Sequence, residues 1–174
     1  LVEEERRGRF HPDLARELGV PEGPLWGRLH RGEAVTLPDG RVVVPVVLVG
    51  PRRSGRKVVI SGDTRPAPTV VEASRGADVL VHEATFADEE ADRARETGHS
   101  TAREAATVAA RAGVRQLVLT HFSARYSRDA SDLLRQAREE FDLTILARDG
   151  LEIEVPYQDE AVAGGVDKES AERG

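Results

Sequence analysis

The chain has 174 residues, 39% of them hydrophobic and 32% charged, which suits one ordinary globular domain, with at most a very small second one, and excludes wholesale disorder. No apolar run approaches the roughly 18 to 20 residues of a membrane helix; the longest, Val42 to Val49, is interrupted by Pro45, so no membrane span is encoded. Cysteine is absent, which excludes disulfides and thiolate metal sites, leaves His and carboxylates as metal ligands, and suits a reducing, cytoplasmic setting.

The chain starts at Leu1, contains no Met, and opens Leu-Val-Glu-Glu-Glu-Arg-Arg, which resembles no secretion signal; it reads as a piece of something longer. The net charge of −6 is uneven, with 11 Lys and Arg against 8 acids in residues 1–57 and 14 against 23 thereafter. Between Leu25 and Lys57 seven cations (Arg28, Arg31, Arg41, Arg52, Arg53, Arg56, Lys57) face only Glu33 and Asp39. A polyanion fits there, although 23 of the 25 basic residues are Arg, a bias that coding composition also explains.

In chain order, His11-Pro12-Asp13 starts a short helix that Gly19 stops. Val20 to Gly27 holds too much Pro and Gly for a regular element and reads as an arm rather than core. Asp39-Gly40 turns a hairpin between Val35-Thr36-Leu37 and Val42-Val43-Val44, and Arg52 to Gly55 reads as a second hairpin turn. From residue 57 on, strands are expected at Lys57–Ser61, Asp78–His82, Gln116–Thr120, Leu143–Ala147 and Leu151–Val155. Helices are expected at Thr101 to Ala112, opened by the capping box Thr101-Ala-Arg-Glu104 and stopped by Gly113, and at Asp129 to Phe141. The alternation implies αβ layering, with Arg148-Asp149-Gly150 reversing the chain between the last two strands. This divides the chain into an arm with flanking strands (1–56), a layered body (57–157) and a disordered tail (158–174).

Three strand ends carry reactive side chains: Ser61-Gly62-Asp63-Thr64, His82-Glu83-Ala84-Thr85, and Thr120-His121-Phe122-Ser123. Ligands of layered α/β sheets gather beyond strand carboxyl ends, and Gly98-His99-Ser100-Thr101 adds a fourth polar cluster where a helix begins. Singly, each residue has a structural reading: Asp63 as a turn or cap, Glu83 as an arginine's partner, His99 as part of a helix start, His121 as a satisfied strand-end histidine. Jointly, an Asp, a His-Glu pair and two further histidines point to a hydrolytic metal centre with Zn²⁺ as the natural occupant. His11 and His30 belong to the arm and read as exposed.

These motifs, together with Leu18-Gly-Val-Pro-Glu-Gly-Pro-Leu-Trp-Gly27, Asp63-Thr64-Arg65-Pro66, His82-Glu-Ala-Thr-Phe86 and His121-Phe-Ser-Ala-Arg-Tyr126, resemble the ribonuclease Z family of the metallo-β-lactamase superfamily over roughly 85% of the chain. The resemblance implies an α+β layered αβ/βα sandwich, of which this chain is the C-terminal half with an inserted tRNA-binding arm. It also implies zinc-dependent removal of the 3′ trailer from precursor tRNA, leaving a tRNA 3′-hydroxyl, in a cytoplasmic homodimer holding two Zn²⁺ per complete site, with Mn²⁺ able to take their place. By the same resemblance Asp63 is the carboxylate bridging two metals and His121 a terminal metal ligand, while His99 acts at the scissile phosphate and Glu83 orients it. His82 keeps a supporting role. Arg28, Arg31, Gly23, Pro24 and Gly27 fall in the arm that grips tRNA. The family's His-x-His-x-Asp-His motif is missing, so the parent protein is expected to cut and this chain alone is not. Another metallo-β-lactamase-fold hydrolase and a non-catalytic tRNA-binding fragment are the competing readings.

Overall fold

The structure, a computed structural model, describes residues 1–158, so most of the tail expected at 158–174 lies outside the described residues. It divides into two compact units, residues 5–55 and residues 1–4 with 56 onward.

The unit of residues 5–55 contains α1 (Pro12–Glu17), α2 (Pro24–His30), the antiparallel pair β2 (Val35–Thr36) and β3 (Val42–Val43), and α3 (Pro45–Leu48). The expected first helix and the hairpin around Asp39-Gly40 are present. Val20 to Gly27, however, is not irregular throughout, because Pro24 starts a helix. Proline's fixed φ suits a first helical position, where its missing N–H is no loss, and Gly23 at φ 133° turns the chain into it. Nor is the segment without a core: Ala15, Val20, Leu29, Val35, Leu37, Val43 and Leu48 are buried together, with Phe10 and Trp26 against them. The Trp26 indole donates to the Val20 carbonyl at 3.1 Å. Arg52 to Gly55 does not turn a hairpin; Arg53 instead pairs antiparallel with Arg6, as Val49 does with Phe10. Those two stretches approach so closely that any side chain at Gly8 would collide with the Gly50 carbonyl.

The second unit is a five-stranded sheet in the order β1-β4-β5-β6-β7. Its strands are β1 (Val2–Glu3), β4 (Lys57–Ile60), β5 (Val79–Glu83), β6 (Gln116–Thr120) and β7 (Thr144–Leu146). β1 runs antiparallel to β4; the others are parallel. The crossovers carry α4 (Pro68–Ser74), α5 (Ala91–Thr97) with α6 (Ala102–Ala112), and α7 (Ser131–Arg138). Successive parallel strands added in one direction by right-handed crossovers put the helices on one face. Accordingly Val59, Leu80, Leu117 and Leu119 share one core with Ala105, Val108, Ala109, Leu133 and Ala137. The alanine stripe of α6 lets it lie close to the sheet, and its capping box forms as the sequence implied: Glu104 N–H donates to Thr101 Oγ1, and Thr101 N–H to the Glu104 carboxylate. On the outer side of α6, Arg103 gathers Asp88, Glu139 and Glu140 at 2.5–2.8 Å. Ile60, 64% exposed, lies on the opposite sheet face by strand alternation.

Four of the five expected body strands form, within two residues of their expected ends. The fifth does not. After the turn at Arg148–Gly150, closed by Leu151 N–H to the Arg148 carbonyl, residues 151–157 form no strand. They run back toward β1, where the Tyr157 hydroxyl donates to Glu4 at 2.8 Å and Arg56 stacks over the Tyr157 ring. The edge position beside β4 goes to Val2–Glu3, a two-residue strand too short to carry a sequence pattern of its own. Arg56 and Tyr157 together hold the Glu4 carboxyl down at about 2.

His82 is fully buried on the helix side of β5. It donates Nδ1–H to the Glu83 carbonyl at 2.8 Å, and its Nε2 finds no partner among the described residues. Burial lowers its pKa below 6.5, so the folded chain holds it neutral while the unfolded chain binds a proton below that pH. Its stabilising contribution is therefore complete above pH 6.5 and is lost as pH falls, at about 1.4 kcal/mol per pH unit until the folded-state pKa is reached. Urea midpoints measured from pH 7.5 to 5.5 are expected to fall for the wild type and to fall less for His82→Leu.

Candidate metal centre

Parallel pairing lines up the carboxyl ends of β4, β5 and β6. Ser61 N–H bonds the Val81 carbonyl and Ala84 N–H the Thr120 carbonyl, so that Asp63, Glu83 and His121 leave the sheet along one edge. His99 arrives from the helical side. Gly98, left-handed at φ 83°, ends α5, and the chain then pairs back on the post-β5 segment through Ala102 N–H to the Phe86 carbonyl. His121 is itself left-handed, at φ 57°, among the described residues the one non-glycine with positive φ. Such a conformation in a bulkier residue persists where surrounding structure dictates it, often at functional sites. Here it is the first residue after β6.

The outcome is one cluster. Ligand atoms of Asp63, His99 and His121 all lie within 4.8 Å of one another. His121 Nε2 stands 3.5 Å from Asp63 Oδ1, and the two imidazoles stack with centroids 5.4 Å apart. Phe86 meets His99 edge-on, and Arg65 lies alongside Gly98. One carboxylate and two imidazoles are donors that Zn²⁺ accepts.

Behind the cluster sits Glu83, whose side chain is 1% exposed. Oε1 receives Thr64 N–H at 3.0 Å and His99 Nδ1 at 2.9 Å; Oε2 receives Thr85 N–H at 3.1 Å and the Thr85 hydroxyl at 2.8 Å. Burial by itself pushes this carboxyl up. The donors from Thr85, Thr64, Ser100 and His99 outweigh it and hold Glu83 below its ordinary 4.5. Glu83 is therefore ionised at neutral pH, an anion under His99.

Asp63, Glu83, His99 and His121, all proposed from sequence, thus converge. The five arm positions lie in the other unit. Gly23, Pro24 and Gly27 build the start and body of α2, and Arg28 and Arg31 share a single carboxylate, Glu33, at 3.0 and 3.2 Å. The residue that sequence reasoning missed is Thr85. It was visible as the last member of His-Glu-Ala-Thr, but nothing in the spacing showed that its hydroxyl touches Glu83 and both site histidines.

Residues 34–122 match the family model described as "Beta-lactamase superfamily domain". The chain belongs to that superfamily. Its mixed α/β arrangement, a central sheet with a helix layer, is that of a metallo-β-lactamase fold domain. Among curated relatives of this superfamily domain, a protein named ribonuclease Z from Gemmatimonas aurantiaca is 66% identical over 92% of the chain and 51% of the relative. Proteins of the same name from Myxococcus xanthus and Haloferax volcanii are 59% and 58% identical, over 91% of the chain and 52% and 50% of their own lengths. The chain spans about half the length of the curated relatives it matches.

Proposed function

We propose that this chain is the portion of a ribonuclease Z that carries the acid–base histidine and part of the metal ligand set, and that the complete protein removes the 3′ trailer of precursor tRNA. The substrate class is carried by the 66% identity shared with a ribonuclease Z over nearly the whole chain. The chemistry is supported by the cluster at the strand ends. Zinc as the metal, with Mn²⁺ as a substitute, precursor tRNA as partner, and a cytoplasmic homodimer as the working form of the complete protein all belong to this proposal. Among the described residues no helix is long and apolar enough to cross a membrane.

Asp63 and His121 would hold the metal, which supplies Lewis acidity and charge neutralisation at the phosphoryl group. Glu83 fixes His99 through Nδ1 and offsets an imidazolium charge. As a water molecule forms a new bond to phosphorus, giving up one proton to solvent, the P–O3′ bond breaks and the imidazolium of His99 passes its Nε2 proton to the leaving 3′ oxygen of the tRNA, giving a 3′-hydroxyl on the tRNA and a 5′-phosphate on the trailer. Two or three ligands are too few for a closed zinc site; the remainder are expected from the other half of the relatives' length.

The test compares zinc content and trailer removal by this chain alone and by the chain reconstituted with the amino-terminal half of the Gemmatimonas aurantiaca ribonuclease Z. Zinc uptake and cleavage are expected only in the reconstituted protein. Stoichiometric zinc and cutting by the chain alone would overturn the division of the site.

For the arm, we propose that Arg28 and Arg31 meet RNA phosphates by exchanging Glu33 for them. All three groups are solvent-exposed and their mutual pairing is screened, so a phosphate competes readily. Arg28→Ala/Arg31→Ala is expected to weaken tRNA binding across sequences alike and to reduce the slope of log affinity against log salt by about one to two. Glu33→Gln is expected to tighten binding. Filter binding from low to moderate salt reads both, and an unchanged slope in the double variant sinks the assignment.

A further inference from the structure

Thr85 Oγ1 has one proton and four neighbours within hydrogen-bond distance: Glu83 Oε2 at 2.8 Å, His121 Nδ1 at 2.9 Å, the His121 carbonyl at 3.2 Å and His99 Nδ1 at 3.2 Å. A hydroxyl gives its one proton to a single acceptor, here the Glu83 carboxylate or the His121 carbonyl or an imidazole lone pair, and can accept only from an imidazole N–H. The shortest contact is to an anion, and charge-assisted hydrogen bonds are about twice as strong as neutral ones, so the hydroxyl proton goes to Glu83. The oxygen's lone pairs then face the imidazoles. His99 Nδ1 is already committed to Glu83 Oε1 at 2.9 Å. His121 Nδ1, at 2.9 Å, must donate to Thr85, since two facing lone pairs at that distance would repel.

We propose that Thr85 is a positioning residue that fixes His121 as its Nδ1–H tautomer, so that one buried carboxylate sets both histidines, His99 directly and His121 through the Thr85 hydroxyl. The consequence falls at the other end of the ring. His121 Nε2 is left as a bare lone pair 3.5 Å from Asp63 Oδ1. The alternative, an Nε2–H bonded to Asp63, is disfavoured because 3.5 Å is beyond good N–H···O length and Asp63 is 59% exposed, with water to solvate it. A lone pair beside a carboxylate oxygen suits a cation between them, so Thr85 prepares the donors in advance. This deepens, and rests on, the reading of Asp63 and His121 as metal ligands. The tautomer itself is a property of this chain without metal.

The experiment is two-bond ¹H–¹⁵N correlation spectroscopy of the imidazoles in the metal-free ¹⁵N-labelled chain near pH 8, with assignments from His99→Gln and His121→Gln. In the wild type both His99 and His121 are expected to show a protonated Nδ1 and an unprotonated Nε2. Thr85→Val, which keeps the branched shape and deletes the hydroxyl, is expected to shift His121 toward Nε2–H and to leave His99 as it was; Thr85→Ser is expected to restore the wild-type pattern. His99 thereby serves as an internal control for the integrity of the site, and backbone amide spectra for the rest of the fold. Three results overturn the proposal: an Nε2–H His121 in the wild type, an unchanged His121 in Thr85→Val, or both histidines changing together. In the reconstituted protein, losing such an orienting partner is expected to weaken zinc affinity about 10- to 100-fold in Thr85→Val. Failure of the wild type to take up zinc overturns the metal-ligand reading separately, because the tautomer is read without metal.

Discussion

Replacing Asp63 with alanine in the reconstituted protein is expected to abolish both zinc retention and trailer removal, while the chain keeps its fold. Asp63 stands beyond β4, 59% exposed, with His121 Nε2 beside it. It contributes nothing to the apolar core, so a folding defect does not follow from its loss. What it provides is the one carboxylate in a cluster whose other members are imidazoles. Without it His121 is the one ligand this chain contributes, and the ligands expected from the other half lose the carboxylate that completes the site. If Asp63 bridges two ions, one substitution empties both positions. Metal analysis after gel filtration, alongside cleavage of a labelled precursor tRNA and a circular dichroism melt, checks this. Full zinc retention in Asp63→Ala would remove Asp63 from the ligand set.

His99→Ala is expected to behave differently, lowering cleavage about 10²- to 10⁴-fold, the range for loss of a positioned acid–base group, with zinc content close to wild type. The distinction comes from what lies behind each residue. His99 is backed by Glu83, a buried anion held by four donor groups, an investment that suits a ring whose charge changes during a reaction. Cleavage of a substrate in which sulfur replaces the bridging 3′ oxygen at the scissile bond, a 3′-S-phosphorothiolate, is expected to recover most of the lost rate in His99→Ala, since a thiolate leaves without a proton. If zinc disappears along with activity, His99 is a ligand and the acid–base role passes elsewhere.

The parts of this molecule legible in its sequence are those set by local chemistry. The α6 capping box needs only Thr101 and Glu104 three residues apart, and the parallel strands announce themselves as β-branched runs ending in reactive residues. The failures have a different physical origin. α2 was hidden because Pro24 and Gly27 read as breakers, whereas Pro24 occupies the one helical turn where it is favourable and the Leu25, Trp26 and Leu29 face finds a core. Leu151 to Val155 alternates apolar and acidic residues as a strand does, yet after the turn at Arg148–Gly150 the chain does not fold back along β7 but runs to the opposite edge of the sheet, where Tyr157 is held by Glu4 and Arg56, contacts distant in sequence that no local pattern announces. The site divides in the same way. Asp63, Glu83, His99 and His121 were visible because each sits at an element's end, while Thr85 acquires its meaning from three contacts that only the folded chain creates.

The left-handed backbone of His121 carries a consequence for how this chain can change over generations. A bulky L-residue in that conformation costs on the order of 1 kcal/mol relative to glycine, in a molecule whose net stability is only several times larger. Drift toward a more stable fold therefore pushes position 121 toward glycine, which relieves the backbone and deletes the imidazole at once. Selection for chemistry and selection for folding thus pull in opposite directions at this position, and a lineage released from the chemistry would be expected to lose the histidine among the first.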